Sequence, residues 1–311
     1  MQDIVSQING YVWSYWLVGL CLGAGLMFSL LTRFLQVRHF RHMIELLFSS
    51  KESDRGISSF QALTVSLSGR VGTGNIAGVA AAIGFGGPGA VFWMWVVAFF
   101  GAATAYVEAA LGQIYKEEDE GQLRGGPAFY IEKAMGQRWY AWAFAIATIL
   151  ATGLLLPTVQ ANAISTSAEI AFGTNGSLTT ALGTISYTKL GAAIVVVIIF
   201  GFIIFGGVKR IAHVTQVVVP FMALGYIVIA VGIVLWNVSE LPRIVGMILG
   251  DAFTPMAGLG AAIGWGVKRG VYSNEAGQGT APHAAAAAEV QHPAQQGLVQ
   301  AFSVYVDTLF V

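Results

Sequence analysis

The chain has 311 residues, of which 56% are hydrophobic and 10% charged, and its sixteen basic residues balance sixteen acidic ones. Soluble domains carry about 25% charged residues, and a chain without net charge offers no electrostatic footprint for nucleic acid. One cysteine, Cys21, excludes an internal disulfide framework, and five histidines without HxxxH or HExxH spacing give no metalloenzyme signature. The composition fits an all-α polytopic membrane protein.

A crossing takes about 20 mostly apolar residues to span about 30 Å of hydrocarbon. Charge-free runs extend from Ile4 to Thr32, Val71 to Val107, Leu190 to Val208 and Ile211 to Ser239, and another lies between Arg138 and Glu169. The first is too long for a cleaved signal peptide and has no preceding Lys or Arg, so it is read as a retained helix. Glycines and prolines divide the runs into eight expected helices. They lie near Val12–Leu31, Ser59–Phe85, Pro88–Ile114, Trp139–Ile170, Leu190–Gly206, Val214–Trp236 and Ala252–Val267, with the eighth starting near Leu298.

Lys and Arg favour cytoplasmic loops. Thirteen of them fall after the first, third, fifth and seventh helices, the last two being Lys268 and Arg269, and only Lys189 and Arg243 fall on the other side. This bias predicts an outside N-terminus.

The second helix is interrupted by Gly72-Thr73-Gly74-Asn75. Glycine costs a helix interior about 1 kcal/mol relative to alanine. Unwound backbone at membrane depth survives only when buried in protein or facing a wet cavity. A break here would aim free N–H groups and a positive dipole end at the gap, which suits a carboxylate. The carbonyls ending the preceding half-helix suit a cation. Glycines also serve close helix packing, which is an equal alternative for Gly69 or Gly78 alone, whereas the compact cluster Gly72-Thr73-Gly74-Asn75 reads as a functional break. Arg70 adjoins the cluster, and a charge at this depth is functional or paired. Its candidate partners are Glu108, Glu169, Asp251 and Asp307, in a structural or gating ion pair.

A second break is expected in the seventh helix, where Thr254-Pro255 is followed by Gly258, Gly260, Gly264 and Gly266. Broken helices at matching positions of two halves point to a transporter midplane site. Gln160 and Asn162 place amides inside the fourth helix, for interhelical hydrogen bonding or, in the case of Gln160, substrate contact. The polar stretch Lys268–His283 reads as an inner loop or gate. No HExxH, no GxSxG and no paired intramembrane carboxylates appear, so no catalytic residue is assigned.

Three stretches resemble the signatures of the alanine or glycine:cation symporter family: Ser68–Gly78, Ala252–Pro255 and Arg269–Gly277. The resemblance covers essentially the whole chain. It implies a LeuT-like fold, with one extra N-terminal helix before two inverted five-helix repeats. The implied division is 1–58 for the first helix and connector, 59–249 for the first repeat, and 250–311 for the start of the second. The chain stops inside the eighth helix, so the second repeat is expected to be incomplete. The resemblance further implies sodium- or proton-coupled uptake of alanine or glycine across the plasma (inner) membrane. Substrate would be held by Gly72, Thr73, Gly74 and Asn75, with Gln160 and with Thr254, Gly258 and Gly260 opposite. The alternative is a non-transporting membrane component that needs further helices.

No carboxylate occurs between Gly56 and Val107. A coupling ion at the first break would therefore be a sodium held by carbonyls near Ser68 and Val71 with the Asn75 amide. Proton coupling would fall to the remote acids Glu108 or Asp307. No cofactor is expected beyond the coupling ion, and membrane lipid is the expected surrounding.

Overall fold

The computed structural model describes residues 2–48, 56–180, 183–254 and 258–310. In chain order its helices are α1 (Gln2–Val12), α2 (Tyr15–Leu31), α3 (Leu35–Arg38), α4 (Phe40–Phe48), α5 (Ser59–Arg70), α6 (Thr73–Gly86) and α7 (Gly89–Ile114). A hairpin of β1 (Glu117–Asp119) and β2 (Gln122–Arg124) leads to α8 (Pro127–Met135) and α9 (Arg138–Thr148). A π-helical turn, Ile149–Leu155, joins α9 to α10 (Leu156–Phe172). A second hairpin, β3 (Ser177–Thr180) and β4 (Gly183–Ser186), precedes α11 (Tyr187–Ile204) and α12 (Gly207–Trp236). The chain continues through α13 (Leu241–Ala252), α14 (Gly258–Asn274), α15 (Ala281–Ala287) and α16 (Pro293–Tyr305), which runs into a π turn, Val306–Phe310.

Among the described residues, five helices are long and apolar enough to cross a membrane: residues 7–31, Gly89–Ile114, Arg138–Phe172, Tyr187–Ile204 and Gly207–Trp236. These answer to the expected first, third, fourth, fifth and sixth helices. The protein is a membrane-embedded, all-α, multi-pass chain. The outward faces of α10, α11 and α12 carry exposed Val159, Val197, Phe202, Phe221 and Val228, as lipid-facing surfaces should.

The core is built around α7. Its buried side is made of small residues, among them Ala90, Ala98, Gly101, Ala102, Ala105, Ala109 and Gly112. Small side chains let backbones approach where lipid supplies no hydrophobic drive between helices. A Cβ added at Gly101 would lie 3.1 Å from that of Ala276, and one at Gly112 would lie 2.9 Å from the Pro282 carbonyl. Thus α14, α15 and the segment between them pack directly on α7.

Hydrogen bonds fix the C-terminal end of α7. Gln113 donates to the carbonyls of Ala285 and Ala288, and Lys116 donates to Ala288 at 2.8 Å. Burial pulls the Lys116 ammonium below the usual lysine range, and the charge of Glu289 opposes that shift. Ile57 N–H donates to Ala287 at 3.0 Å, and Glu289 N–H returns to Ile57 at 3.1 Å. Helix α5 starts from this junction with a reciprocal cap. Ser58 accepts the Gln61 N–H at 3.2 Å, and the Gln61 side chain accepts the Ser58 N–H at 2.9 Å.

Candidate functional site: two broken helices side by side

The first break falls where the glycine cluster begins. The Val71 N–H closes the last turn of α5 on Leu67 at 2.7 Å. Val71 then leaves the helix at φ −83°, ψ 90°, and Gly72 is extended at φ −145°, ψ −177°. The α6 ladder starts with Ile76 N–H to Gly72 O at 3.3 Å. Carbonyls from Ser68 onward therefore have no intrahelical donor, and the first amides of α6 have no intrahelical acceptor. The gap has a carbonyl-rich side and an amide-rich side, each at a helix dipole end of matching sign. The Ser68 hydroxyl is turned back to its own helix, donating to Val65 O at 2.7 Å. The side chains of Thr73 and Asn75 lie outside what the structure describes.

Gln160 reaches this break from α10. A Cβ built on Gly72 would stand 2.6 Å from Gln160 Nε2 and 3.4 Å from its Oε1. The π turn just before α10 leads into Pro157, which has no N–H to give and whose ring would press on the preceding turn. Gln160 follows one turn later.

The glycine part of the expected second break is helical, and its Thr254-Pro255 part falls between α13 and α14. Gly258, Gly260, Gly264 and Gly266 all lie within α14, which continues without interruption to Asn274; Pro255, Met256 and Ala257 lie outside the described residues. Thr254 is exposed and donates to Gly250 O at 2.9 Å, and Gly260 faces the Tyr15 hydroxyl. At about 1.5 Å per residue, about 20 Å of helix separates Gly260 from Asn274. Thr254, Gly258 and Gly260 are therefore not brought to Gly72. Lys268 and Arg269 also lie inside α14, not in a loop after it.

The interruption beside the first break comes at Glu275–Thr280, between α14 and α15. Glu275 takes φ +53°, and Gly277 and Gly279 take +84° and +80°. The turn is held by its own polar groups. Asn274 Oδ1 accepts the Ala276 N–H at 3.0 Å, Gln278 Nε2 donates to Val271 O at 2.9 Å, and Thr280 donates to Glu275 Oε2 at 2.6 Å. From α7, Glu108 Oε1 accepts the Gly277 N–H at 3.2 Å.

The two breaks meet. A Cβ at Gly69 would be 3.3 Å from Glu275 Oε1, one at Gly78 would be 3.6 Å from Arg269, and one at Gly86 would be 2.8 Å from Trp265. Residue numbers rise along one helix as they fall along the other, so α5–α6 and α14 run antiparallel and each is interrupted beside the other.

Arg70 lies at this crossing and is fully buried. Its Nη1 donates to Ser303 Oγ and, at 3.4 Å, to Gln300 O on α16. The acids whose charge it feels are Glu275, Asp307 and Glu108, in that order. Asp307 Oδ2 accepts the hydroxyls of Ser273 at 2.6 Å and Thr308 at 2.9 Å. Of the four candidate partners read from sequence, Glu108 and Asp307 are near. Glu169 instead pairs with Lys189 at 2.9 Å, and Asp251 accepts the Gly89 N–H at 2.8 Å. The sequence reading missed Glu275. The signal was present in Ser273-Asn274-Glu275-Ala276-Gly277-Gln278-Gly279, a polar run with two glycines.

A match to the sodium:alanine symporter family extends over residues 1–311. The chain belongs to this family. A putative sodium/proton-dependent alanine carrier protein of Bacillus subtilis, YrbD, is 56% identical over 315 residues, covering 100% of this chain and 62% of the relative. A probable sodium/glutamine symporter of the same organism, GlnT, is 43% identical, covering 100% of this chain and 64% of the relative. The sodium/alanine symporter AgcS of Methanococcus maripaludis is 39% identical, covering 99% of this chain and 68% of the relative. The chain spans about three fifths of the length of the first two of these symporter relatives.

Proposed function

We propose that this chain acts in cation-coupled symport of a small neutral amino acid, alanine before glycine, by alternating access across the plasma membrane, with its N-terminus outside. The observation that carries the reading is the apposition of the two breaks, with Gln160 closing over Gly72. The substrate carboxylate would take the free amides of Thr73, Gly74 and Asn75 at the start of α6, beside Gly72. Gln160 would contact the substrate from α10. The wall opposite would be Asn274–Thr280. A sodium ion would take the unpaired carbonyls from Ser68 to Val71, with the Asn75 amide. Its charge would offset both those carbonyls and the substrate carboxylate.

The antiparallel course of α5–α6 and α14–α15 supports a LeuT-like inverted repeat. Residues 1–58 would then precede a first repeat over 59–249, and 250–311 would open a second. Rocking of one repeat against the other would expose the crossing to each side in turn. The names of the alanine carrier and the AgcS relative support alanine and sodium, and that of the glutamine relative makes side-chain size the variable to test.

The test is alanine affinity of the full chain, by calorimetry, with sodium replaced by choline at fixed pH and ionic strength. Ion and substrate must strengthen each other's binding by the same factor. An affinity indifferent to sodium but sensitive to pH would remove sodium as the coupling ion and turn attention to Glu275, Asp307 and Glu108.

A further inference from the structure

A cavity of about 740 Å³ lies between α2, α7, the π turn before α10 and the second break. Its volume is in the range of small-molecule sites, about 300–1,000 Å³. Most of its wall is apolar, with Cys21 and Phe28 from α2, Phe100 from α7 and Leu155 from the π turn. A mostly apolar wall with a few convergent polar groups suits a ligand that is largely apolar. At membrane depth, hydrophobic molecules are the ones present at high local concentration.

The polar wall gathers at the second break, with Asn274 and Gln278 from the break side, Glu108 and Thr104 from α7, and the hydroxyl-bearing Tyr130 and Tyr272 also on the lining. Asn274 is fully buried, and its Nδ2 has no hydrogen-bond partner among the described residues. Such a donor is costly to leave unpaired. Glu108 accepts the Gly277 N–H through Oε1 and has the Gly279 amide beside it, and a carboxylate with about four acceptor positions can accept again. No Lys, Arg or His lines the cavity. A hydroxyl can accept from Asn274 and donate to Glu108, whereas an anionic head would meet a carboxylate and no counter-charge. We infer that this cavity binds an uncharged amphiphile, an aliphatic chain ending in a hydroxyl, with its polar end against the second break. Because Glu108 and Asn274 both bond the 276–277 backbone, occupancy bears on the geometry of that break. The site rests on the cavity alone, and its effect on alanine rests on the function proposed above.

The test uses the full chain in phosphatidylcholine vesicles and a diazirine-bearing octanol, with inserted label mapped by mass spectrometry. Saturable insertion is expected at Cys21 and Leu155, displaced by excess octanol and not by octanoate at neutral pH. Insertion at Phe202, on the exposed face of α11, should be non-saturable. Ala24→Trp, which enlarges a lining residue, should abolish the cavity label and leave that at Phe202. Absence of saturable cavity label in the unaltered protein overturns the site without reference to any variant, and equal displacement by octanoate overturns the uncharged head. Octanol should also shift alanine affinity several-fold in the unaltered protein and not in Ala24→Trp. If the cavity labels and alanine affinity does not move, the link to the break is wrong. If alanine does not bind at all, the transport reading fails, and the labelling still decides the site.

Discussion

Gln160 and Gly72 lie so close that a methyl group on the glycine would stand 2.6 Å from the amide nitrogen. Gly72 is extended, at φ −145° and ψ −177°, a conformation open to any residue. The cost of Gly72→Ala is therefore contact with Gln160 and not backbone strain. Overpacking costs about 1–3 kcal/mol, so alanine affinity should fall by about one to two decades. Gln160→Ala removes the obstacle as well as a polar contact. The double variant should then bind better than the sum of the single losses, because residues in contact are not additive. Calorimetric titration of the four proteins measures this, and strict additivity would mean that the two residues do not meet in the working protein.

Asp251 ties α13 to the start of α7. Its Oδ2 accepts the Gly89 N–H at 2.8 Å, and Trp93 Nε1 donates to the Ala252 carbonyl at 3.1 Å. The carboxylate satisfies an amide that α7 cannot satisfy within itself and opposes the positive end of its dipole. Asp251→Ala should cost about 1–2 kcal/mol, the scale of a lost helix cap. The readout is a lower melting temperature of the full chain in detergent. Asp251→Asn keeps an acceptor without the charge and should lose less. Equal losses for Ala and Asn would locate the effect in the charge alone.

Arg70 offers a sharper test. Three acids lie within electrostatic reach of one guanidinium, and only Nη1 of the guanidinium has hydrogen-bond partners among the described residues. Removing one partner of a buried charge set costs about 3–5 kcal/mol, because the remaining charge is left uncompensated. Arg70→Met should therefore sharply lower the yield of folded protein in detergent, as read by size-exclusion chromatography. Adding Asp307→Asn removes one uncompensated acid and should recover part of that loss. If Asp307→Asn makes Arg70→Met worse, Arg70 is held by its α16 hydrogen bonds and not by the acids.

The long spans were legible because a soluble core rarely needs twenty residues in a row without a charge, whereas a membrane crossing requires them. The expected third helix, Pro88–Ile114, is matched by α7 at Gly89–Ile114. The first break was legible for a similar reason: a compact run of glycines with two polar residues is costly inside an apolar helix. The glycines of α14 serve contact and do not break the helix, and the interruption beside the first break falls at Glu275–Thr280. A Cβ at Gly266 would lie 2.5 Å from Ala90 O, and one at Gly270 would lie 3.2 Å from Val97, so these glycines let α14 lie on α7. Lys268 and Arg269 looked like the end of a helix because charge is costly in hydrocarbon. They stay helical over aromatic rings, Lys268 at 5.4 Å from Trp13 and 5.3 Å from Trp265, and Arg269 at 5.6 Å from Trp265 and 6.0 Å from Tyr272. Trp265 and Tyr272 are helical neighbours one turn away, whereas Trp13 comes from the other end of the chain and is not visible without the fold.

The two hairpins provide a test of orientation. The segment from Arg138 to Phe172 is 35 residues long, about 52 Å of helix at about 1.5 Å per residue, more than enough to cross. Hairpin β1–β2 precedes this span and β3–β4 follows it, so the hairpins lie on opposite sides. With Lys268 and Arg269 removed from the loops and residues 49–55 left out, nine basic residues share the side of β1–β2: Arg33, Arg38, Arg41, Lys116, Arg124, Lys133, Arg138, Lys209 and Arg210. Only Lys189 and Arg243 share the side of β3–β4. Nine basic residues against two keep the positive charge on the side of β1–β2, which should face the cytoplasm. Gln122 and Ser177 are both exposed at these hairpins. In a background with Cys21 replaced by alanine, Ser177→Cys in intact cells should react with a membrane-impermeant maleimide, and Gln122→Cys should react only after permeabilisation. Reaction of Gln122→Cys in intact cells would reverse the orientation and put α7 the other way through the membrane.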